Sequence, residues 1–262
     1  MTSAFNMKHH PHHSHRNRQA MTLIELLVVI SIIGVLAGLL MPALAGAKKR
    51  AKIMASTKDM ADLKGAVAVY QNDYSRLPAS TPAATLGTDF TYGTTNQNNV
   101  VGTGSTGYGT NIWNGPATIP PYQACNAELM MILAGVTPTS GYVPDPSVAN
   151  DQRNPRKTSY FHAKSSGANS GAGLGTDGVM RDPWGNPYII ALDLNYDGWV
   201  SNSVYRLDAV TTPSIGLAKQ AGVNTWALKD SVMIFSFGPD GMFDMATKAD
   251  VGVNRDNVLS WK

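Results

Sequence analysis

The chain has 262 residues, of which 43% are hydrophobic and 15% are charged, and this composition excludes a globally disordered protein because charge repulsion is too weak to keep the chain open. Its 21 basic and 18 acidic residues become balanced once Lys8, Arg16 and Arg18 are set aside, so the rest of the chain does not have the charge of a nucleic-acid-binding protein. A single cysteine, Cys125, excludes an internal disulfide, and no Cys or His cluster has the spacing of a zinc site.

Residues 1–20 are hydrophilic and rich in histidine, and an apolar run starts directly after them at Met21. Residues 26–47 carry no charge over 22 positions, which at about 1.5 Å per residue is enough to span the roughly 30 Å hydrocarbon layer of a membrane. An ordinary secretory signal has its small-residue cleavage site after the apolar stretch, whereas the small residue here, Ala20, precedes it. The pattern predicts a leader over 1–20 and a membrane-spanning helix over 21–47.

One acidic residue, Glu25, stands near the start of the apolar run. A carboxylate at the edge of a membrane span is costly unless it has a partner, which makes Glu25 a functional candidate. The alternative interpretation is an interfacial acid at a helix N-terminus, where the helix dipole favours negative charge.

The segment around this acid resembles the cleavage and methylation motif of type IV prepilins and type II secretion pseudoprepilins, through Arg18-Gln19-Ala20 followed by Met21-Thr22-Leu23-Ile24-Glu25. The resemblance implies that a prepilin peptidase cuts between Ala20 and Met21 and methylates the new amino group of Met21. These two residues stand where the family usually has Gly and Phe. The resemblance also assigns Glu25 to filament assembly and matches Pro42 to a helix-loosening proline. Because proline lacks an N–H, Pro42 is expected to kink or locally melt the helix.

The same resemblance implies a location and a set of partners. The leader is expected in the cytoplasm, the span in the bacterial inner membrane and the head domain in the periplasm, before entry into a pseudopilus. Basic residues flank both ends of the span, so charge alone leaves this orientation open. The expected partners are further copies of the chain, other pseudopilins, prepilin peptidase, the inner-membrane assembly platform and the membrane, with no nucleic acid.

A basic group over 48–52 follows the span, and apolar residues between Ile53 and Tyr74 then recur at spacings near three and four. This pattern predicts one continuous helix from Met21 to about Tyr74, roughly 80 Å long, with 48–75 as its amphipathic continuation. A coiled coil has a similar pattern, but this apolar stripe is short and interrupted. The sequence therefore favours packing of 48–75 on the protein's own head domain.

The head domain is expected over 76–262, with insertions rich in Gly, Thr and Asn. Residues 81–127 contain only one charged residue and several aromatic residues, which either anchor the segment on the domain or contact a partner. Asn126 is expected to cap a short helix over 127–134. The glycines of 165–178 do not have the GxGxxG spacing, so no nucleotide site is expected.

Two apolar runs, 189–192 and 231–237, are predicted to be strands of a small antiparallel sheet packed against the long helix, which gives an α+β fold. Trp199 and Val200, after a turn over 193–198, are expected to begin a partner strand. The segments 182–188, 236–241 and 256–261 resemble, in this order, three landmarks of the major pseudopilin of type II secretion. The resemblance therefore implies a type IV pilin-like head.

Four carboxylates, those of Asp240, Asp244, Asp250 and Asp256, fall within 17 residues near the C-terminus, and hard oxygen ligands suit calcium. The resemblance to the major pseudopilin implies a calcium site at Asp240 and Asp256, with help from backbone carbonyls near Val258. A set of solvated turn aspartates is the alternative interpretation.

A rival calcium site is Asp193-Asn195-Asp197, whose opening spacing matches an EF-hand loop. Val204 occupies its twelfth position, where a bidentate Glu is expected. A hairpin turn is the other interpretation of this segment.

Enzymatic motifs are scarce. The sequence has no Gly-x-Ser-x-Gly elbow, His162 is the only histidine after residue 20, and Cys125 has no obvious base beside it, so an enzyme is not expected. The sequence favours a pseudopilin, a structural filament subunit that assembles through its N-terminal helix into a periplasmic pseudopilus driving type II protein secretion. The alternatives are a type IV pilus subunit for adhesion or motility and a singly anchored calcium- or carbohydrate-binding surface domain.

Overall fold

The computed structural model describes residues 22–93, 125–137, 145–168, 171–220, 222 and 225–262, and the chain separates into two units, Met1–Lys48 and Lys49–Lys262. The α-helices of the described residues are α1 (Leu23–Tyr74), α2 (Thr81–Thr85), α3 (Asn126–Ala134) and α4 (Pro146–Ala149). The strands are β1 (Phe90–Tyr92), β2 (Gly173–Leu174), β3 (Met180–Arg181), β4 (Ile189–Leu192), β5 (Ala218–Lys219), β6 (Trp226–Ala227), β7 (Val232–Ser236) and β8 (Val258–Leu259). Short 3₁₀ turns lie at Pro213–Ile215, Gly238–Asp240 and Gly252–Asp256.

The long helix is confirmed. α1 is one continuous helix of 52 residues that ends at Tyr74, as the apolar spacing predicted. It includes Pro42, so the helix is not broken at the proline and the local melting expected there is absent from the structure. A kink at Pro42 stays a prediction.

The main sheet has four antiparallel strands in the order β1-β4-β7-β8. Its central pair is β4 and β7, in which Ile190 lies opposite Ile234. β1 pairs with the outer side of β4, and β8 pairs with β7. The antiparallel sheet and the long helix together confirm the predicted α+β fold, which is consistent with the type IV pilin-like class.

Both faces of the central pair are buried, because alternate residues of a strand point to opposite sides. Ile190 and Ile234 belong to a core that also contains Leu63 and Tyr70 of α1. On the opposite face, Ile189, Ala191, Met233 and Phe235 belong to a second core with Val204, Tyr205, Ile215 and Phe237. This double burial explains why both strands are uninterrupted apolar runs rather than alternating ones.

Tyr188 connects the sheet to the helix through a polar contact at the edge of the first core. Its hydroxyl lies 3.2 Å from the Ser56 hydroxyl and 3.1 Å from a carboxylate oxygen of Asp59. Tyr188 and Ser56 are both buried, so this contact fixes the position of α1 across the sheet.

Two local predictions were wrong. Trp199 and Val200 do not begin a strand paired with β4, because β1 and β7 already occupy its two sides; Val200 forms only an isolated bridge with Leu228. Asn126 is not the N-cap of α3. Cys125 takes that position, and Asn126 lies inside the helix with its side chain buried.

The Asn126 side chain has a larger structural role than a cap. Its Nδ2 donates to the carbonyl oxygens of Met180 (2.9 Å) and Tyr188 (2.8 Å), and its Oδ1 accepts from Met180 N (2.9 Å). The Met180 carbonyl oxygen also accepts from Tyr188 N (3.1 Å), so an apolar side chain at 126 would leave Met180 N and the Tyr188 carbonyl oxygen unpaired.

Candidate assembly and metal-binding sites

The first candidate site is the start of α1, where Thr22 and Glu25 form a capping box. Thr22 N and Thr22 Oγ1 both donate to Glu25 Oε2 at 2.8 Å, and Glu25 N donates to Thr22 Oγ1 at 3.3 Å. Reciprocal bonds of this kind satisfy the free N–H groups at a helix start. The structure thus places Glu25 at the very beginning of the helix, with Thr22 as its direct partner.

Thr22 is the residue that the sequence interpretation missed. The Thr-x-x-Glu spacing that identifies a capping box is present at 22–25 and could have revealed it. Ala20 and Met21, the predicted cleavage site, lie outside the described residues.

The apolar side chains of residues 23–44, in the first part of α1, are exposed. Leu23 is 81% exposed, Leu39 71% and Leu44 70%, whereas the large apolar residues of the head are mostly buried. α1 is the one helix of the described residues that is long and apolar enough, by length and composition, to cross a membrane. An apolar surface of this size needs lipid or other protein to cover it.

The second candidate site is a cleft of about 610 Å³ between the C-terminal segment and the part of α1 that contains Lys49, Ile53 and Thr57. Asp240, Asp256 and Val258, the three predicted calcium-site residues, all line it. The structure therefore brings together residues that are 16 to 18 positions apart in the chain.

Asp256 is the most constrained carboxylate of this cleft. Its Oδ1 is buried without a hydrogen-bond partner in the described part of the chain. Burial, followed by the negative charge of Asp240, raises the pKa of Asp256, while the charge of Lys49 acts in the opposite direction. Two mutually repelling carboxylates, one with a buried free oxygen, fit a hard divalent cation such as calcium.

The turn over 182–188 contacts the segment that leads into Asp240. The Ser236 hydroxyl donates to Asp182, and Asn186 Nδ2 donates to the carbonyl oxygen of Gly238 (3.0 Å). Gly238 has a φ of +70°, and a Cβ there would lie 2.2 Å from the carbonyl oxygen of Asp256. The predicted landmarks therefore meet in space, and a side chain larger than glycine's at 238 would push the Asp256 backbone away.

The other two aspartates of the C-terminal segment do not join this pair. Asp244 accepts hydrogen bonds from Ala246 N and from the Thr247 hydroxyl, and Asp250 is exposed. Within the described residues, no group of three or more His, Cys, Asp or Glu side chains could hold a metal ion. Any cation in the cleft would thus depend on Asp240 and Asp256 together with backbone or water oxygens.

In the rival calcium loop, the carboxylates accept hydrogen bonds from backbone N–H groups of the turn itself. Asp193 accepts from Gly198 N (2.9 Å) and Asp197 N (3.3 Å), while Asp197 accepts from Trp199 N (2.8 Å). Asn195 Nδ2 also donates to Asp197 (3.0 Å). These bonds favour the turn over a calcium loop, although the turn does not lead into a hairpin.

Cys125 is buried, and this burial raises the pKa of its thiol to about 12. A thiol in this environment stays protonated at neutral pH and is a poor nucleophile.

The comparisons with known proteins bear on the first site. The prokaryotic N-terminal methylation motif matches residues 15–41, which include Thr22 and Glu25. The chain carries the N-terminal signal of a type IV pilin-like prepilin. No curated protein and no solved structure matches the chain. The prepilin signal indicates processing by a prepilin peptidase and assembly with pilin-like subunits, and it points to a structural protein. Its apolar helix suggests anchoring in a membrane near the N-terminus.

Proposed function

We propose that this chain is a pseudopilin of a type II secretion system, cut between Ala20 and Met21 and assembled through α1 into a periplasmic pseudopilus. The observation that carries the proposal is the start of α1, where the Glu25 carboxylate precedes a long exposed apolar surface. The head supports secretion over a pilus, because the segments 182–188, 236–241 and 256–261 resemble major-pseudopilin landmarks and contact one another through Ser236, Gly238 and Asp256.

The proposed chemistry of assembly is charge pairing in a medium that solvates charge poorly. A carboxylate at the edge of lipid is stable only with a positive partner or with hydrogen bonds. Thr22 supplies hydrogen bonds to Glu25 within one chain. Cleavage before Met21 creates a new amino group, and in a filament of parallel helices this cation of one copy can pair with Glu25 of the next.

The test of the assembly step is Glu25→Ala in the full chain. The variant is expected to stay stable in the membrane but to disappear from sheared filaments, since no carboxylate remains to pair. Leu26→Ala is the matched control, because it truncates the next side chain without changing charge. Filaments at the wild-type yield in Glu25→Ala would contradict the pairing role.

Two further measurements separate the alternatives. N-terminal sequencing of the membrane protein is expected to begin at a methylated Met21, and a mature chain beginning near Ala47 would show ordinary signal-peptidase processing. Deletion of the gene is expected to stop the export of a secreted enzyme. Normal export combined with loss of surface pili would assign the chain to a type IV pilus instead.

We also propose that Asp240 and Asp256 hold calcium, with a backbone carbonyl near Val258 as a further ligand. The support is the shared cleft and the unpartnered Asp256 Oδ1. When bound, calcium would supply the positive charge that offsets the repulsion between the two carboxylates. This would tie the C-terminal segment to the base of the cleft.

The calcium proposal is tested by thermal unfolding of the full chain in detergent, with calcium or with chelator. A cation that binds only the folded state at 100 times its Kd adds about 2.7 kcal/mol, so the melting temperature is expected to rise. Asp240→Ala and Asp256→Ala should abolish this rise, whereas Asp244→Ala should keep it. Identical melting curves with calcium and chelator would remove the proposal.

A further inference from the structure

Three arginines gather where α1 ends, and we call Arg76, Arg153 and Arg156 the arginine cluster. The guanidinium carbons of Arg76 and Arg156 each lie 5.7 Å from the centre of the Tyr74 ring. Arg76 Nη2 donates to the carbonyl oxygen of Gln152 (3.0 Å), and Arg153 Nη2 donates to Thr81 Oγ1 (3.0 Å). Backbone, hydroxyl and ring contacts thus hold the three cations at one end of the head domain.

No carboxylate of the chain forms a salt bridge with the arginine cluster. All 18 acidic residues of the chain lie in the described residues, and none of them forms a salt bridge with these three arginines. The nearby carboxylates are engaged with other groups: Asp73 accepts from the Tyr160 hydroxyl, Asp145 accepts from Ser147 N, and Asp151 pairs with Lys157. An anion from outside the subunit therefore has a ready set of donors here.

Arg76 and Arg153 repel each other within the cluster. Partial burial, followed by the positive charge of Arg76, lowers the pKa of Arg153, while the charge of Asp145 acts in the opposite direction. A carboxylate placed between these side chains would relieve the repulsion and accept bidentate hydrogen bonds, which is the geometry that guanidinium groups favour.

A carboxylate without a salt bridge lies near the opposite end of the head part of α1. Asp250 is exposed and forms no salt bridge within the described part of the chain. Its neighbour Ala249 lines the same cleft as Ile53. Ile53 and Tyr74 are 21 residues apart on α1, which corresponds to about 31 Å along the helix. Asp250 and the arginine cluster are therefore too far apart to neutralise each other within one subunit.

We propose that the arginine cluster of one copy docks against the Asp250 carboxylate of a second copy, end to end along the direction of α1. This contact joins two different surfaces, so it leaves a free surface at each end and can repeat without closing, as a filament requires. The proposal rests on the proposed function as a filament subunit. It assigns to the head a second, water-exposed contact that is independent of Glu25.

Charge reversal in the full chain tests this contact. Arg156→Asp and Asp250→Arg each place like charges opposite one another and are expected to reduce filament yield about fivefold, the effect of about 1 kcal/mol at a surface ion pair. The double variant should restore the yield, because the pair is re-formed with the charges exchanged. Both side chains are exposed, so neither change disturbs the core.

Lys229→Asp is the matched control, since it makes the same change of charge at an exposed residue next to Asp230, whose carboxylate pairs with Lys64 midway along the head part of α1. It should leave the yield unchanged. Wild-type yields in both single reversals, or a double variant worse than either, would overturn the proposal.

Cysteine cross-linking provides a second test that does not depend on yield. The native Cys125 is buried, so the introduced cysteine is the accessible thiol in each of the variants Arg156→Cys and Asp250→Cys. Disulfide dimers are expected when the two variants are co-expressed and absent when either is expressed alone. Filaments that form without this cross-link would overturn the docking proposal alone. A wild-type chain that forms no filaments would overturn the proposed function itself.

Discussion

Asp89 contributes to the pH dependence of the stability of the head. It lies just before β1, and its Oδ2 accepts from both Ser201 N and the Ser201 hydroxyl at 2.7 Å. Its Oδ1 is buried without a partner among the described residues. Burial, with smaller contributions from the charges of Asp193 and Asp197, outweighs these hydrogen bonds and raises the pKa of Asp89 from 3.8 to about 6.

The sign of the effect follows from this raised pKa. The folded protein holds the Asp89 proton more tightly than the unfolded chain, so the stabilisation from protonation is fully present below about pH 4 and is lost as the pH rises through about 6. One pKa unit corresponds to about 1.4 kcal/mol, so ionised Asp89 costs at most about 3 kcal/mol at pH 7. Partial solvent exposure reduces this cost, and we expect about 1 to 2 kcal/mol.

Asp89→Asn removes the charge and keeps an oxygen for Ser201. We expect the variant to be about 1 to 2 kcal/mol more stable than the wild type at pH 7, with the gain vanishing near pH 4. The measurement is chemical unfolding of the full chain in detergent, followed by tryptophan fluorescence from pH 4 to pH 7.

Asp208→Asn is the control for this experiment. Asp208 is exposed, and hydrogen bonds from Lys219 and Trp226 lower its pKa, so its replacement should bring no gain at neutral pH. An Asp89→Asn variant with wild-type stability throughout the range would refute the argument from burial.

Two further predictions concern α3. Asn126→Ala leaves two buried backbone groups, Met180 N and the Tyr188 carbonyl oxygen, without their partner and should destabilise the head by about 2 kcal/mol or more, measured by denaturant unfolding with Asn150→Ala as an exposed control. Cys125 should resist maleimide labelling in the folded protein and react at once in denaturant, because burial raises its pKa to about 12; rapid labelling without denaturant would show that α3 opens readily.

The sequence was most informative where one physical requirement acts over many residues. The long apolar run and the stripe from Ile53 to Tyr74 predicted α1 to within two residues at its start. The runs at 189–192 and 231–237 became β4 and β7, the central strands of the sheet.

Pairing across long sequence separations could not be predicted in the same way. β1 has only three residues, in a segment rich in Gly, Thr and Asn, and it pairs with β4 about 100 positions later. Val200 follows β4 directly, which made it the natural candidate for a hairpin partner. The actual partners are fixed by the two buried cores, which no local pattern encodes.

The residues of the candidate sites likewise fall into those that the sequence predicted and those that it did not. The residues of the C-terminal cleft were predicted through a resemblance, and the structure gathers Asp240, Asp256 and Val258 around it. The buried roles of Asn126 and Asp89 were missed, because each depends on neighbours more than 50 positions away. A polar residue next to a predicted helix or strand has the same sequence pattern whether it caps a helix, faces the solvent or forms buried hydrogen bonds.

The carbonyl oxygen of Tyr188 lies close to Gly93 and to Asn126, which are 33 positions apart in the chain. A Cβ at Gly93 would lie 2.7 Å from this oxygen, and Asn126 Nδ2 donates to it at 2.8 Å. The two positions are therefore held beside one point of the core whatever the number of residues between them. Since closing a loop costs only about 0.6 kcal/mol more for each doubling of its length, the sheet is expected to tolerate insertions and deletions between these two positions.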